Sequence, residues 1–196
     1  MGTLSGKRIG FGVTASHCTF PELEAMITQL LDEGAEVHPV VTYSVLHANT
    51  RFGTGEEWIQ KIEGLCGRSV VSTIADAEPF GPIIPLDCMV IAPLTGSSLS
   101  KLANAQTDSP VLMAAKATLR NRKPVVIAVS TNDALGLNGT NLMNLMRAKH
   151  VYLVPLGQDD PIKKPTSLVA DFNQISRTVE EALDGKQLQP LFISYN

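Results

Sequence analysis

The chain has 196 residues, 44% of them hydrophobic and 18% charged, with 15 Gly and 12 Pro. That is the composition of one globular domain large enough to bury a core. Lys and Arg number 16 against 19 Asp and Glu, a net charge of -3, which argues against a general electrostatic grip on nucleic acid or on an anionic membrane surface.

No apolar stretch approaches the roughly 20 residues that span a bilayer. MGTLSGKRIGFGV holds only a short apolar segment and lacks the form of a signal peptide. MGTLSG also resembles a myristoylation signal, for which a chance match is the cheaper reading. Cys18, Cys66 and Cys88 make an odd set without CxxC or Cys/His spacing, so neither a disulfide framework nor a metal site is expected. A cytoplasmic protein with reduced thiols follows.

Along the chain, apolar runs alternate with amphipathic stretches. Arg8 to Val13 predicts a buried strand. Phe20 to Glu33 predicts a helix, with Leu23, Met26, Ile27, Leu30 and Leu31 at helical spacing and Gly34 as its stop. Glu36 to Thr42 is a second strand, Trp58 to Leu65 a short helix, and Ser69 to Ile74 another β-rich run. Asp87 to Ala92 is the central strand and Ser97 to Ala105 the helix after it. Val111 to Arg120 is helical, Pro124 to Val129 a strand, Leu137 to Lys149 a helix, Val151 to Pro155 a strand, and Leu168 to Leu183 the last helix. The tail after Gly185 ends apolar and suits packing on a neighbouring subunit.

Strands that are apolar throughout and separated by helices mean a parallel sheet covered on both faces. Such doubly wound sheets bind ligands beyond the carboxyl ends of their strands. The residues there are small and hydroxylic. Gly12, Thr14, Ala15 and Ser16 form the first strand-to-helix junction, where backbone amides and hydroxyls can approach an anion. An ordinary β–α turn is the equally weighted alternative. Thr42 and Ser44 end the second strand; Pro93, Thr95, Ser97 and Ser98 follow the central one; Asn132 follows the next. The GxGxxG dinucleotide fingerprint is not met, because Ala15 stands where its last glycine belongs, and no acidic residue closes the second strand.

Candidates for acid–base work or carboxylate recognition are few. His17 lies beside the first loop and could serve near neutral pH, although a lone loop histidine is more often solvated. His47 and Arg51 stand in the loop HANTRFG, and Arg51 could pair bidentately with a carboxylate. Lys163 and Lys164 could do the same from DDPIKKP, with a solvated charge cluster as the cheaper reading. Cys18 and Trp58 read as structural.

Three motifs carry a resemblance. GKRIGFGVTASHCTFPELEAMITQLLDEGAEVHPVVT resembles the start of the flavoprotein family of FMN-binding decarboxylases and their relatives. VIAPLTGSSLSKLANAQTDSPV is similar to that family's Pro-Ala-Ser/Thr-Ala-Asn-Thr segment, with Pro93, Thr95, Lys101, Ala103 and Asp108 on the pattern. VSTNDALGLNGTNLMNL falls where the family has Pro-x-Met-Asn, and Asn132 takes the Asn position. The resemblance implies an α/β fold, a Rossmann-like doubly wound parallel sheet in three α/β/α layers. One domain would cover 1–196, with its core over about 6–155 and a C-terminal helix and tail over 156–196. It also implies a homo-oligomer, a trimer or a multiple of it, with an FMN site at a subunit interface.

Within the family, APLTGSSLSKLANAQTDSPVLMAAKATLRN and VYLVPLGQDDPIKKPTSLVADF are similar to a branch whose members work beside a separate A subunit. Together the two make a pyridine dicarboxylate in the mother cell of sporulating bacteria. That implies an oxidoreductase subunit with a small dicarboxylate substrate and NAD(P) on the partner. The loops at Gly12–Ser16 and Thr95–Ser98 would then bind FMN, or the dicarboxylate itself. The family's active-site His is missing, since Pro79 sits near its place, and Thr131 and Val129 replace the Met and Pro of Pro-x-Met-Asn. A non-catalytic assembly module and an FMN-dependent decarboxylase are the alternatives.

Overall fold

In the computed structural model, which describes residues 2–194, the run Arg8–Val13 forms β1, whose interior is fully buried. A 3₁₀ turn at His17–Glu22, with Pro21 inside it, leads into α1 at Leu23–Asp32. The helix therefore starts later than the apolar spacing predicts. Thr19 Oγ1 donates to Ser16 O at 2.7 Å and closes the tighter turn first, and Pro21 suits only the opening turn of a regular helix. Gly34 (φ +83°) then takes the left-handed conformation that ends α1.

Glu36–Val41 is β2, followed by a single turn, α2, at Tyr43–Leu46 and a small hairpin of β3 (Asn49–Thr50) and β4 (Gly53–Thr54). α3 spans Gly55–Cys66, one turn longer at its start than Trp58 suggests. A capping box causes this: Thr54 Oγ1 accepts the Glu57 N–H while the Glu57 carboxylate accepts the Thr54 N–H. The β-rich run at Ser69–Ile74 is not a strand. Val71 alone bridges Val40, and Thr73 accepts the Asp76 N–H to open α4 at Ile74–Ala77, with a 3₁₀ turn at Glu78–Phe80 behind it.

Cys88–Leu94 is β5, buried at every position. Thr95 caps α5 (Gly96–Ala103) and Ser109 caps α6 (Pro110–Arg120). β6 follows at Val125–Thr131, α7 at Gly139–Met146, β7 at Val151–Leu153 and β8 at Leu156–Gly157. The structure departs from the predicted elements again at the C-terminal end. Leu168–Ala170 is a strand, β9, and only Ile175–Leu183 is helical, as α8. Ser130 and Thr131 at the end of β6 offer Leu168 and Val169 an antiparallel edge, and β8 pairs on the far side of β9.

The sheet runs β2-β1-β5-β6-β9-β8, with β7 also on β6. β2, β1, β5, β6 and β7 are parallel, whereas β9 and β8 are antiparallel additions. The sheet is thus mixed and mostly parallel, with helices on both faces. Its order reverses between β1 and β5, where a doubly wound sheet opens a crevice. Glycines in β1 serve packing there: a Cβ on Gly12 would stand 2.7 Å from both Met89 Cε and Val111 Cγ1. Ion pairs, such as Lys61–Glu24 and Arg68–Glu36, lie on the surface and contribute about 0–1 kcal/mol each. Burial of the strands decides stability, at about 1.5–3 kcal/mol per large apolar side chain. In the tail, Leu188 is buried and Phe192 exposed; the last two residues of the expected apolar end lie outside the described residues.

Candidate functional site

Two strand-end loops are tied together at the β1/β5 switch point. The buried Thr14 hydroxyl donates to Pro93 O at 2.7 Å and accepts the Thr95 N–H at 2.9 Å. On either side of this tie lies a cavity, and the two share Ala15 and Thr95.

The larger cavity has a volume of about 740 Å³. Ser16, His17 and Cys18 enter it after β1, Thr95 and Gly96 after β5, and Ser130, Thr131, Asn132 and Asp133 at the end of β6. Ser16 Oγ and Ser130 Oγ share a hydrogen bond at 3.1 Å. The far wall comes from residues 159–173, contributing Asp159, Lys164, Ser167 and Asp171. This wall is pinned to the β6 loop, with Thr166 Oγ1 donating to Asn132 O at 2.6 Å and Leu135 N to Thr166 O at 2.9 Å.

Behind the β6 loop runs a polar chain. Asp133 accepts from Thr131 Oγ1 at 2.6 Å and from Asn138 Nδ2 at 2.8 Å, and Asn138 Oδ1 accepts from Asn141 Nδ2 at 2.9 Å. Gly96 is wedged against it. A Cβ there would lie 2.6 Å from Thr131 Oγ1 and 2.7 Å from Asp133 Oδ1, so only glycine lets α5 begin this close to β6.

The smaller cavity, about 330 Å³, is lined by Thr42, Tyr43 and Ser44 after β2, by Ser97, Ser98 and Lys101 of α5, and by Asp108 and Ser109. Lys101 Nζ pairs with Asp108 at 2.6 Å. Together the volumes suit a small organic ligand or cofactor.

Three buried side-chain atoms lack a hydrogen-bond partner among the described residues: Thr42 Oγ1, His17 Nδ1 and His38 Nε2. Thr42 lines the smaller cavity and His17 the larger. A buried polar atom without a partner costs about 1–3 kcal/mol, and a polar ligand at this rim would remove that cost. Burial lowers the His17 pKa below its usual 6.5, leaving a neutral imidazole able to accept a proton near pH 7. Burial raises Glu22, on the same wall. The Lys164 hydrogen bond pulls Asp159 below the usual carboxylate range, and Asp159 in turn raises Lys164.

Of the residues singled out from sequence, Ala15, Ser16, His17, Thr95 and Asn132 line the larger cavity, and Thr42, Ser44, Ser97 and Ser98 the smaller. Gly12, Thr14 and Pro93 line neither; they hold the loops from below. His47 and Arg51 also line neither, since the β3–β4 hairpin carries Arg51 outward, where its guanidinium lies 4.8 Å from the Phe52 ring centroid. Sequence reasoning missed Ser130, Asp133, Asp159 and Ser167 and discounted Lys164. The signal for Asp133 was its neighbour Asn132; none in the sequence points from residues 159–167 to this crevice.

The geometry has counterparts among known proteins. A family model described as Flavoprotein matches residues 2–182. The chain is 61% identical over 193 residues to the B subunit of dipicolinate synthase from Bacillus subtilis (strain 168), covering 98% of this chain and 96% of that protein. The crystal structure of the dipicolinate synthase B subunit from Bacillus halodurans C superposes with a TM-score of 0.91 at 55% identity, over 99% of each chain. The FMN-dependent cysteine decarboxylase SpaF has the same fold, with a TM-score of 0.67 at 20% identity over 93% of this chain and 98% of its own.

Proposed function

This chain belongs to the Flavoprotein family, and on that premise we propose that it works as the B subunit of a dipicolinate synthase. Beside the A subunit, it takes part in the NAD(P)-linked oxidation of dihydrodipicolinate, or of its hydroxylated precursor, to dipicolinate during sporulation. The reading includes a cytoplasmic homo-oligomer, a trimer or a multiple of it, built from one flavoprotein-like domain per chain. NAD(P) belongs to the A subunit in this scheme, because Ala15 breaks the dinucleotide fingerprint here. The observation that carries the reading is the pair of hydroxyl-lined cavities meeting at Ala15 and Thr95, in a chain so similar to a dipicolinate synthase B subunit over nearly its whole length.

The residues present fit FMN. Thr42, with its unpartnered buried hydroxyl, and Ser44, Ser97 and Ser98 would hold it from the smaller cavity. Ala15, Ser16 and Asn132 would do so from the larger. FMN, when bound, supplies reversible hydride transfer. Aromatisation releases one hydride, to NAD(P)+ overall, and one proton. The neutral His17 ring is the group on this chain placed to accept that proton. Residues of the 159–173 segment close the far wall of the larger cavity.

The test is an absorbance spectrum, from about 300 to 550 nm, of the purified chain alone and after addition of FMN, followed by dipicolinate formation with and without the A subunit. Retained flavin absorbance and activity that needs both subunits support the reading. Dipicolinate formation that the A subunit sustains alone, at the same rate, overturns it.

One observation favours a second reading, a non-catalytic module that completes the partner's active site. Pro79, near the place of the family's catalytic His, sits in the 3₁₀ turn at Glu78–Phe80, and neither cavity takes a residue from that turn. Absence of flavin retention, with activity still dependent on this chain, would select that module. An FMN-dependent decarboxylase would need this His, which the chain lacks, and that reading has no comparable support.

A further inference from the structure

The larger cavity is uneven in charge. Glu22, Asp133, Asp159 and Asp171 line it, and Lys164 is the lone Lys or Arg on its wall among the described residues. His17 adds no charge near neutral pH, because burial depresses its pKa. For a small dicarboxylate entering this space, that ammonium is the one opposite charge against four carboxylates.

That ammonium is placed to change partners. Lys164 Nζ lies 2.7 Å from Asp159 Oδ2, and the Lys164 side chain is half exposed. Asp159 Oδ1 independently accepts the Ser167 hydroxyl at 3.0 Å, so the carboxylate keeps a donor if the ammonium leaves. The backbone under Lys164 is held fixed: its N–H donates to Asp160 O at 2.8 Å, its carbonyl accepts the Ser167 N–H at 3.0 Å, and Thr166 is bonded to Asn132. Only the flexible four-carbon stem needs to move. Lys163 differs in its side chain. It is 84% exposed, pairs loosely with Asp160 at 3.9 Å and lines neither cavity.

We propose that Lys164 is the carboxylate-recognition residue of the crevice, its ammonium exchanging Asp159 for one carboxylate of a planar pyridine dicarboxylate. This assignment rests on the substrate class proposed above. It moves carboxylate recognition from Arg51, which stacks on Phe52 outside both cavities, to a loop more than a hundred residues further along the chain. The exchange also gives selectivity: a neutral ring, or one without a carboxylate, offers nothing to compensate Lys164 for leaving Asp159.

The test is isothermal titration of the full chain, alone and with the A subunit, using pyridine-2,6-dicarboxylate and unsubstituted pyridine as probes. Wild type and Lys163→Met should bind the dicarboxylate equally. Lys164→Met should bind it about 10- to 100-fold more weakly, the effect of a lost hydrogen bond to a charged group. Asp159→Asn, which frees the ammonium, should bind it several-fold more tightly than wild type. In turnover, Lys164→Met should raise KM while leaving kcat largely unchanged. Equal binding by Lys164→Met and Lys163→Met overturns the assignment while leaving the substrate class intact. Unchanged or weaker binding by Asp159→Asn overturns the exchange. If wild type binds the dicarboxylate no better than pyridine, with or without the A subunit, the substrate class itself fails and the assignment falls with it.

Discussion

Thr14 and Pro93 are 79 positions apart in sequence, yet the Thr14 hydroxyl donates to the Pro93 carbonyl at 2.7 Å and, from the same oxygen, accepts the Thr95 N–H. One buried side chain thereby fixes the spacing of the two loops that separate the cavities. Thr14→Val keeps the shape and orphans both backbone groups, at a cost of about 1–3 kcal/mol. We expect a fall in melting temperature of about 2–4 °C per kcal/mol for a chain of this size, with flavin retention reduced. Thr14→Ser should restore both, and calorimetry with flavin titration measures them.

Gly96 makes the opposite prediction about size. A methyl group there meets Thr131 Oγ1, Asp133 Oδ1 and Asn138 Nδ2, all within 2.9 Å. Gly96→Ala should cost about 1–3 kcal/mol as an overpacking substitution, by prising α5 from the β6 loop. Denaturant unfolding reads the cost, and FMN affinity should fall in parallel because Gly96, Thr131 and Asp133 all line the larger cavity.

Thr42 separates binding from stability. Its hydroxyl is buried and without a hydrogen-bond partner among the described residues, so Thr42→Val removes an uncompensated polar group at almost constant volume. The melting temperature should stay the same or rise, whereas FMN should bind about tenfold more weakly, the value of roughly one hydrogen bond. A drop in stability without a change in FMN affinity would contradict the role assigned to this hydroxyl.

The histidines set a pH dependence. Burial, aided by Arg68 and Arg8, lowers the His38 pKa from 6.5 against the opposing pull of Glu36, and burial alone lowers His17. Below about pH 6.5 the unfolded chain binds protons that the folded chain resists, so stability falls as pH drops from there towards the depressed folded values. His38→Gln should flatten that acid limb in urea unfolding. Glu22 works in the other sense: its raised pKa contributes stability that is lost as pH rises above its usual 4.5, so Glu22→Gln steepens the net limb.

Much of this site was legible before any fold was in hand. Strands such as CMVIAP, with no polar interruption, can be satisfied only by burial on both faces. Helices must cover them, and the parallel order puts ligands at the carboxyl ends. Thr42, Ser44, Thr95, Ser97, Ser98, Ser16 and Asn132 stand at those ends and line the two cavities. Local chemistry misled in two places. The β-branched run at Ser69–Ile74 looked like a strand, but Thr73 hydrogen-bonds Asp76 locally and opens a helix. Leu168–Ala170 looked helical by continuity with α8, but β6 had an edge that it could pair.

Hydrophobic pattern and turn chemistry, both local and additive along the chain, by themselves determined the succession of strands and helices, the covered sheet and the polar character of its rim. Tertiary structure decided what no local pattern encodes: which hydroxyls hold loops and which face open space, and whether a charge points inward. Gly12, Thr14 and Pro93 went under the floor, Arg51 was turned out on a hairpin, and Lys164 was brought back over the crevice from a loop pinned to Asn132. Long-range hydrogen bonds and packing set those positions, because each depends on a partner tens of residues away that only the folded chain brings within reach.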